Sequence, residues 1–326
     1  AYEILSGLVG SEMCIRDSPE VETVRLGLRE HVLGRRIRCV EVSHPRLVRR
    51  QVGGAAAFVR GCQNRTIVEV RRRGKYLWFA LDDDAALVAH LGMSGQFRVD
   101  AGPHAVRTEP LQAGSGHQSA GSGRQPTDAG HRHTRATFLL DETARSDARS
   151  GGAGILRFVD QRTFGAMWVS PGDAALPTEI AHIGRDLFDP EIDLDAAAQR
   201  MRRRRSTVKR AMLDQSLVSG IGNIYADESL WRARLHPLTP TNAMSQRQAV
   251  ELWQVARGVM VEALEQGGTS FDKLYVNVNG SSGYFGRSLD VYGREGEPCH
   301  RCGTPIVRES FMNRSSHLCP GCQRLR

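Results

Sequence analysis

Four cysteines near the end of the chain constrain its fold more than any other feature. Cys299, Cys302, Cys319 and Cys322 form C-x2-C-x16-C-x2-C. Two CxxC knuckles at that separation close a pair of tight turns around one tetrahedral metal ion, and the soft thiolate set favours a single structural Zn2+. The C-terminal segment is therefore expected to be a zinc-ribbon hairpin stapled by its metal rather than by a large core. Thiolate ligands must stay unoxidised, which predicts a reducing, intracellular setting. Cys14, Cys39 and Cys62 are scattered and read as free thiols. The segment RESFMNRSSHL lies between the knuckles and places Arg314 near the expected hairpin tip.

Upstream, the pattern is α+β and multidomain. At 326 residues the chain is long enough for two or three domains. A helix is expected from Ser18, with Ser18 as cap and Pro19 in the first helical position. Val21, Val24, Leu28 and Val32 then form an apolar stripe at spacings of three and four. Residues 35–100 read as strands, with RTIVEV and KYLWFAL flanking a basic RRRG hairpin tip, and ALVAH and QFRV separated by a Gly-Met-Ser-Gly loop. Residues 101–130, rich in Gly, Ser, Pro and Gln, read as a mobile insertion. ATFLLDE and GILRFVD resume the strands, predicting an N-terminal antiparallel β-sandwich with flanking helices.

The character then changes to helical. AAAQRMRRRRSTVKRAMLDQ reads as one helix and IYADESLWRARL as a second, joined by the turn SGIGN. Ser245 and Gln248 form a capping box that opens a third helix, which ends at Gly267-Gly268. The expected units are an atypical leader over 1–18, a sandwich over 19–172, a linker over 173–198, a helical module over 199–268 and a zinc-bearing segment over 269–326.

Composition points to a polyanionic partner. Net charge is +8, yet only three of the 44 basic side chains are lysine: Lys75, Lys209 and Lys273. Lysine can surrender a proton at useful pH and arginine cannot, so each lysine is a candidate for chemistry. The glycines of SGIGN permit a turn whose amides could face a phosphate, with Asn223 beside them, although an ordinary helix connection would look the same. LGMSGQF and DQRTFGAM each set a large side chain, Met93 or Phe164, beside glycine. Arg162 stands two residues before Phe164. Such residues can wedge into a base stack, or simply fill a core. No long apolar run suggests a membrane span, and the leader lacks the basic start of a signal peptide.

Together these segments resemble one family. PEVETVR, RGKYL, HLGMSG, DQRTFG, GIGNIYADE, QGGTSF, NGSSGYF and YGREGEPCHRCGTPI, with FMNRSSHLCPGC, follow the order found in formamidopyrimidine-DNA glycosylases. The related endonuclease VIII branch is less similar at PEVETV. The resemblance implies a helix-two-turn-helix DNA-binding module and excision of oxidised purines such as 8-oxoguanine and formamidopyrimidines. Cleavage at the abasic site by β,δ-elimination would follow. It implies that Lys75 is a general acid and that Arg314 grips a phosphate for δ-elimination. Met93, Arg162 and Phe164 would fill the emptied stack, while His133, Arg205, Lys209 and Asn223 would hold the DNA backbone. The loop 276–284 would cover the flipped base. The partner implied is double-stranded DNA carrying oxidised purines or abasic sites, bound by a monomer in a bacterial-type cytoplasm, at the nucleoid.

The family's nucleophile is the amine of a terminal proline in the pattern Pro-Glu-Leu-Pro-Glu-Val-Glu-Thr. Here Pro19 matches the second proline of that pattern, while Arg16, Asp17 and Ser18 stand where Pro-Glu-Leu belongs. A proline inside a chain has its nitrogen in an amide and cannot attack C1′ of a sugar. The expectation is a glycosylase and lyase for the natural gene product, its terminus replaced here by a foreign leader. The alternative is a catalytically silent homologue that binds lesions or abasic sites.

Overall fold

The computed structural model describes residues 17–100, 132–141, 154–267 and 288–325. The leader up to residue 16, the insertion 101–130, Lys273 and the loop 276–284 lie outside these residues.

Helix α1 (Ser18–Val32) buries the anticipated stripe: Val21, Val24, Leu28 and Val32 are all almost fully enclosed. Its cap differs from expectation by one residue. Asp17 is the N-cap and Ser18 is the first helical residue, with the Glu20 carboxylate accepting the Asp17 N–H at 3.0 Å. After α1 come β1 (Ile37–Val42), a short 3-10 turn (Pro45–Val48) and α2 (Gly54–Cys62). Helix α2 replaces part of the all-strand reading of residues 35–100. Its Phe58 and Cys62 reach the core, while the alanine-rich sequence between carries little periodic signal.

The strands are β2 (Ile67–Arg73), β3 (Tyr76–Leu81), β4 (Ala86–His90), β5 (Gln96–Asp100), β6 (Thr134–Leu140), β7 (Gly154–Val159) and β8 (Ala166–Ser170). They form two four-stranded antiparallel sheets, ordered β1-β6-β7-β5 and β2-β3-β4-β8. The main core lies between the sheets and is closed by α1 and α2. A second cluster, with Trp78, Val88, Trp168 and Ile180, covers the outer face of the second sheet. That double burial is why β3 and β4 read as continuous apolar runs instead of alternating ones. The β4–β5 and β7–β8 connections both cross from one sheet to the other, so the two wedge-candidate loops meet at a common edge.

The helical module contains α3 (Leu194–Arg203), α4 (Val208–Met212), α5 (Asn223–Arg232) and α6 (Gln246–Glu265). The single helix expected over 196–215 is two. The chain breaks at Arg205, whose φ is +47, and Thr207 caps α4. The capping box of α6 forms as read: Ser245 Oγ accepts the Gln248 N–H at 3.1 Å, and Gln248 Oε1 accepts the Ser245 N–H at 2.8 Å. A third unit is the hairpin β9 (Val307–Phe311) and β10 (Arg314–Leu318), paired antiparallel about Met312-Asn313.

Candidate functional site: a polar seam and an exposed wedge

Three loops converge where the sandwich meets the helical module: the start of α1, the β2–β3 turn and SGIGN before α5. The Ser18 N–H donates to the Gly220 carbonyl at 2.9 Å. A Cβ on Gly220, whose φ is +87, would overlap Ser18 Oγ, and one on Gly222 would overlap the Asp17 carboxylate. A Cβ on Gly74 would meet Ser219 Oγ at 2.7 Å. Glycine is needed here for close approach as well as for the turn.

Lys75 Nζ lies 2.9 Å from Asp17 Oδ1 in this seam, with both side chains nearly enclosed. Burial pushes the Asp17 carboxyl up to about 6, against the pull of the Lys75 ammonium and the Gly222 N–H. That amide, one of those the sequence offered to a phosphate, serves Asp17 instead. Gly220 N–H is likewise taken, by Gln215 Oε1 at 2.8 Å. Glu20 Oε1 accepts the Tyr225 hydroxyl at 2.7 Å, binding α1 to α5.

The basic tip is only partly solvated. Arg72 is buried, donating to both oxygens of Asp186 at 2.7 and 3.0 Å, to Glu22 at 2.7 Å, to Ser18 Oγ and to the Gly74 carbonyl. Asp186 also accepts the Gly74 N–H at 3.0 Å, which fixes the turn presenting Lys75. Arg25, together with Arg72, holds Glu22 below the usual carboxylate range even though burial opposes them. Asp186 and Glu22 escaped the sequence reading because a lone acid carries no mark of its partner.

Lys209 is fully buried. Its Nζ pairs with Asp227 Oδ1 at 2.6 Å and donates to the Ser315 carbonyl at 3.1 Å. Asn223 Nδ2 donates to the same carbonyl at 2.8 Å. Asp227 further accepts Ser316 Oγ and the His317 N–H, seating the hairpin on α5. Glu228 accepts three consecutive backbone N–H groups, Asp290 to Tyr292, each at 2.9 Å. Arg314 opens β10 beside this cluster, its Nε buried without a hydrogen-bond partner. Arg205 is exposed and lines a separate cleft of about 580 Å3 with Arg210, Asn242 and Met312.

The Sγ atoms of Cys299, Cys302, Cys319 and Cys322 all lie within 4.8 Å of one another. Sulfur–sulfur separations of 3.4 and 4.0 Å bracket the edge of about 3.8 Å expected for a tetrahedron of Zn–S bonds near 2.3 Å. The donor set fits one structural zinc. Trp231 Nε1 and the Arg301 N–H point at Cys299 Sγ, at 3.3 and 3.4 Å, supporting that thiolate.

Met93, His133, Arg162 and Phe164 gather elsewhere, at the shared edge of the sheets. Asp160 is buried there and accepts the Arg162 N–H at 3.2 Å and the Gly165 N–H at 2.7 Å. Its own N–H donates to the His133 carbonyl. Arg162 Nη1 lies 3.8 Å from Met93 Sδ. Phe164 is 45% exposed. Sequence reasoning singled out Met93, Arg162 and Phe164 but missed Asp160, which holds the Arg162–Gly165 backbone.

A two-sheet domain, an arginine-rich helical module and a four-thiolate hairpin, meeting around the buried Lys75 and Lys209 amines, fit the architecture of a DNA-acting glycosylase. Residues 17–167 match the formamidopyrimidine-DNA glycosylase N-terminal domain, and 183–274 match the formamidopyrimidine-DNA glycosylase H2TH domain. Residues 296–325 match a zinc finger found in FPG and IleRS. The chain belongs to the formamidopyrimidine-DNA glycosylase family. It is 52% identical to the formamidopyrimidine-DNA glycosylase of Salinispora arenicola, over 94% of this chain and 95% of that one. It is 53% identical to that of a Nocardioides species, over 94% and 93%. Among solved structures it resembles a complex of Lactococcus lactis Fpg with abasic-site DNA, at TM-score 0.74, 30% identity and coverage of 94% and 99%. A Lactococcus lactis FPG mutant with Fapy-dG DNA gives TM-score 0.75 at the same identity and coverage. As in the family, the role is base-excision repair. Among the described residues, no helix is long and apolar enough to cross a membrane.

Proposed function

We propose that this protein binds double-stranded DNA at oxidised purines and abasic sites, and that its fold is built to excise 8-oxoguanine and formamidopyrimidines and then cut the strand. The Lys75 amine beside the α1 N-terminus carries this reading most. An amine nucleophile at the residue before Asp17 would attack C1′ as the glycosidic bond breaks and the departing base takes a proton. The C1′–O4′ bond of the resulting aminal would then break, with a proton delivered to O4′, to leave an iminium that acidifies the C2′ hydrogen. Lys75 would serve as general acid in the β-elimination that follows, in which C2′ loses its proton and the 3′ phosphate departs. Arg314 would hold the phosphate that leaves on δ-elimination. Met93, Arg162 and Phe164 would occupy the vacated stack, while His133, Arg205 and Asn223 would contact the backbone. Lys209, sealed against Asp227, would act on the backbone through the hairpin it anchors.

One residue favours a second reading. Arg16 stands at the nucleophile position, and a guanidinium stays protonated and is no substitute for a secondary amine. The sequence as written is then a lesion-binding protein without turnover. Borohydride trapping on 8-oxoguanine duplex separates the two. A chain with residues 1–15 removed and Arg16→Pro should yield a covalent adduct, and the sequence as written should yield none. Failure of the proline-led chain to trap overturns the enzymatic reading.

A further inference from the structure

We infer that Arg49 is a positioning residue for the wedge: its guanidinium holds the Phe164 loop in the conformation that presents the ring to DNA. The inference rests on the wedge reading above.

Arg49 follows the 3-10 turn Pro45–Val48, which Leu47 and Val48 anchor in the core. From that base the guanidinium forks across the loop. Nη2 donates to the Phe164 carbonyl at 3.0 Å, and Nη1 donates to the Gly165 carbonyl and to Arg46 O at 3.0 Å. Nearby, Gln51 Oε1 accepts the Val169 N–H at 2.7 Å, so the same turn also grips β8. On the opposite side, Asp160 collects the amide hydrogens of Arg162 and Gly165. The loop is thus clamped by a carboxylate on its N–H groups and a guanidinium on its carbonyls.

Between the clamps, Thr163 holds φ at +57, which a β-branched residue resists unless the surroundings enforce it. A Cβ on Gly92 would meet the Phe164 carbonyl carbon at 2.8 Å, so the facing loop leaves no room for the backbone to shift that way. An exposed ring on a loose loop would lose rotational freedom on entering the stack. A clamped one has lost it beforehand. Planar, two-pronged donation suits arginine and not lysine.

The test measures binding, which needs no nucleophile. The probe is a duplex bearing a tetrahydrofuran abasic analogue with 2-aminopurine beside it, titrated with the full chain and with Arg49→Ala, Arg49→Lys, Phe164→Ala and the double variant Arg49→Ala/Phe164→Ala. Arg49→Ala should weaken binding by roughly fivefold to tenfold, as for the loss of charge-assisted hydrogen bonds, and lower the 2-aminopurine response. In the Phe164→Ala background the same substitution should cost nothing further. Arg49→Lys should lose the fluorescence response while the slope of log K against log salt stays unchanged. An equal loss in the Phe164→Ala background overturns the inference. So does a salt slope reduced by about one in either Arg49 variant, which marks a direct phosphate contact. Wild-type behaviour of Arg49→Ala beside a defective Phe164→Ala also overturns it. If Phe164→Ala itself binds and reports like wild type, the wedge reading fails first, independently of Arg49.

Discussion

The seam and the wedge hold their residues by opposite means. In the seam, charges are buried and answered within the protein: Arg72 by Asp186 and Glu22, Lys75 by Asp17, Lys209 by Asp227. At the wedge, the carbonyls and amides are answered but the Phe164 ring is left outside. The seam invests stability in geometry, since removing one member strands a buried charge. On the proposed reading, the wedge would be buried only when DNA arrives. Substitutions in the seam should therefore register mainly in folding, and those at the wedge mainly in binding.

The comparison breaks most sharply at the metal. Stripping the zinc with a chelator should unfold the hairpin, because its own cluster of Trp231, Val291, Ile306 and two cysteines is small. Affinity for abasic-site duplex should fall steeply while the sandwich retains its own melting transition. Zinc release by a colorimetric dye and calorimetry on one sample check both halves. A single merged transition would show that the seam unites the hairpin and the sandwich into one cooperative unit.

Next come the buried contacts. Arg72→Met should cost about 3–5 kcal/mol by leaving Asp186 and Glu22 without their shared cation, read from urea denaturation. Gly220→Ala should cost about 3 kcal/mol or more, since it adds strain at φ +87 to an overlap with Ser18. A cost below about 1 kcal/mol for either would place the seam among ordinary surfaces.

Asp17 supplies a pH signature. Its carboxyl titrates at about 6 when folded against 3.8 ordinarily, so between those values the folded chain binds the extra proton. Its contribution to stability is complete below about pH 4 and is lost as pH rises through about 6, up to about 3 kcal/mol in all. The difference in unfolding free energy between wild type and Asp17→Asn should trace that curve. A flat difference from pH 4 to 7 would contradict it.

The smallest effect on folding is expected at the wedge. Phe164→Ala should change stability by less than about 0.5 kcal/mol yet weaken abasic-site binding by roughly tenfold, since aromatic stacking on a base is worth about 1–3 kcal/mol. A large folding penalty there would erase the distinction between the two regions.

Much of this was legible in the residue order because it is written in local chemistry. The cysteine spacing, the α1 stripe and the α6 capping box depend on neighbours a few positions apart, and each forms as read. The break at Arg205 was not legible, because a run of arginines has good helix propensity and the tertiary setting overrode it. Nor was helix α2, whose short alanine-rich sequence is marked chiefly by Phe58 and Cys62.

By itself, then, the sequence determined the zinc hairpin, most of the strands and the longer helices, and the order of the family motifs, since spacing along a chain encodes turns and periodicities. Only the tertiary structure decided which charges are spent on one another. Arg72, 114 residues from Asp186, and Lys209, 106 from Ser315, meet because two domains close around them. Burial, which no single position announces, then turns those meetings into strong constraints: a charge withdrawn from water must find its opposite or destabilise the fold.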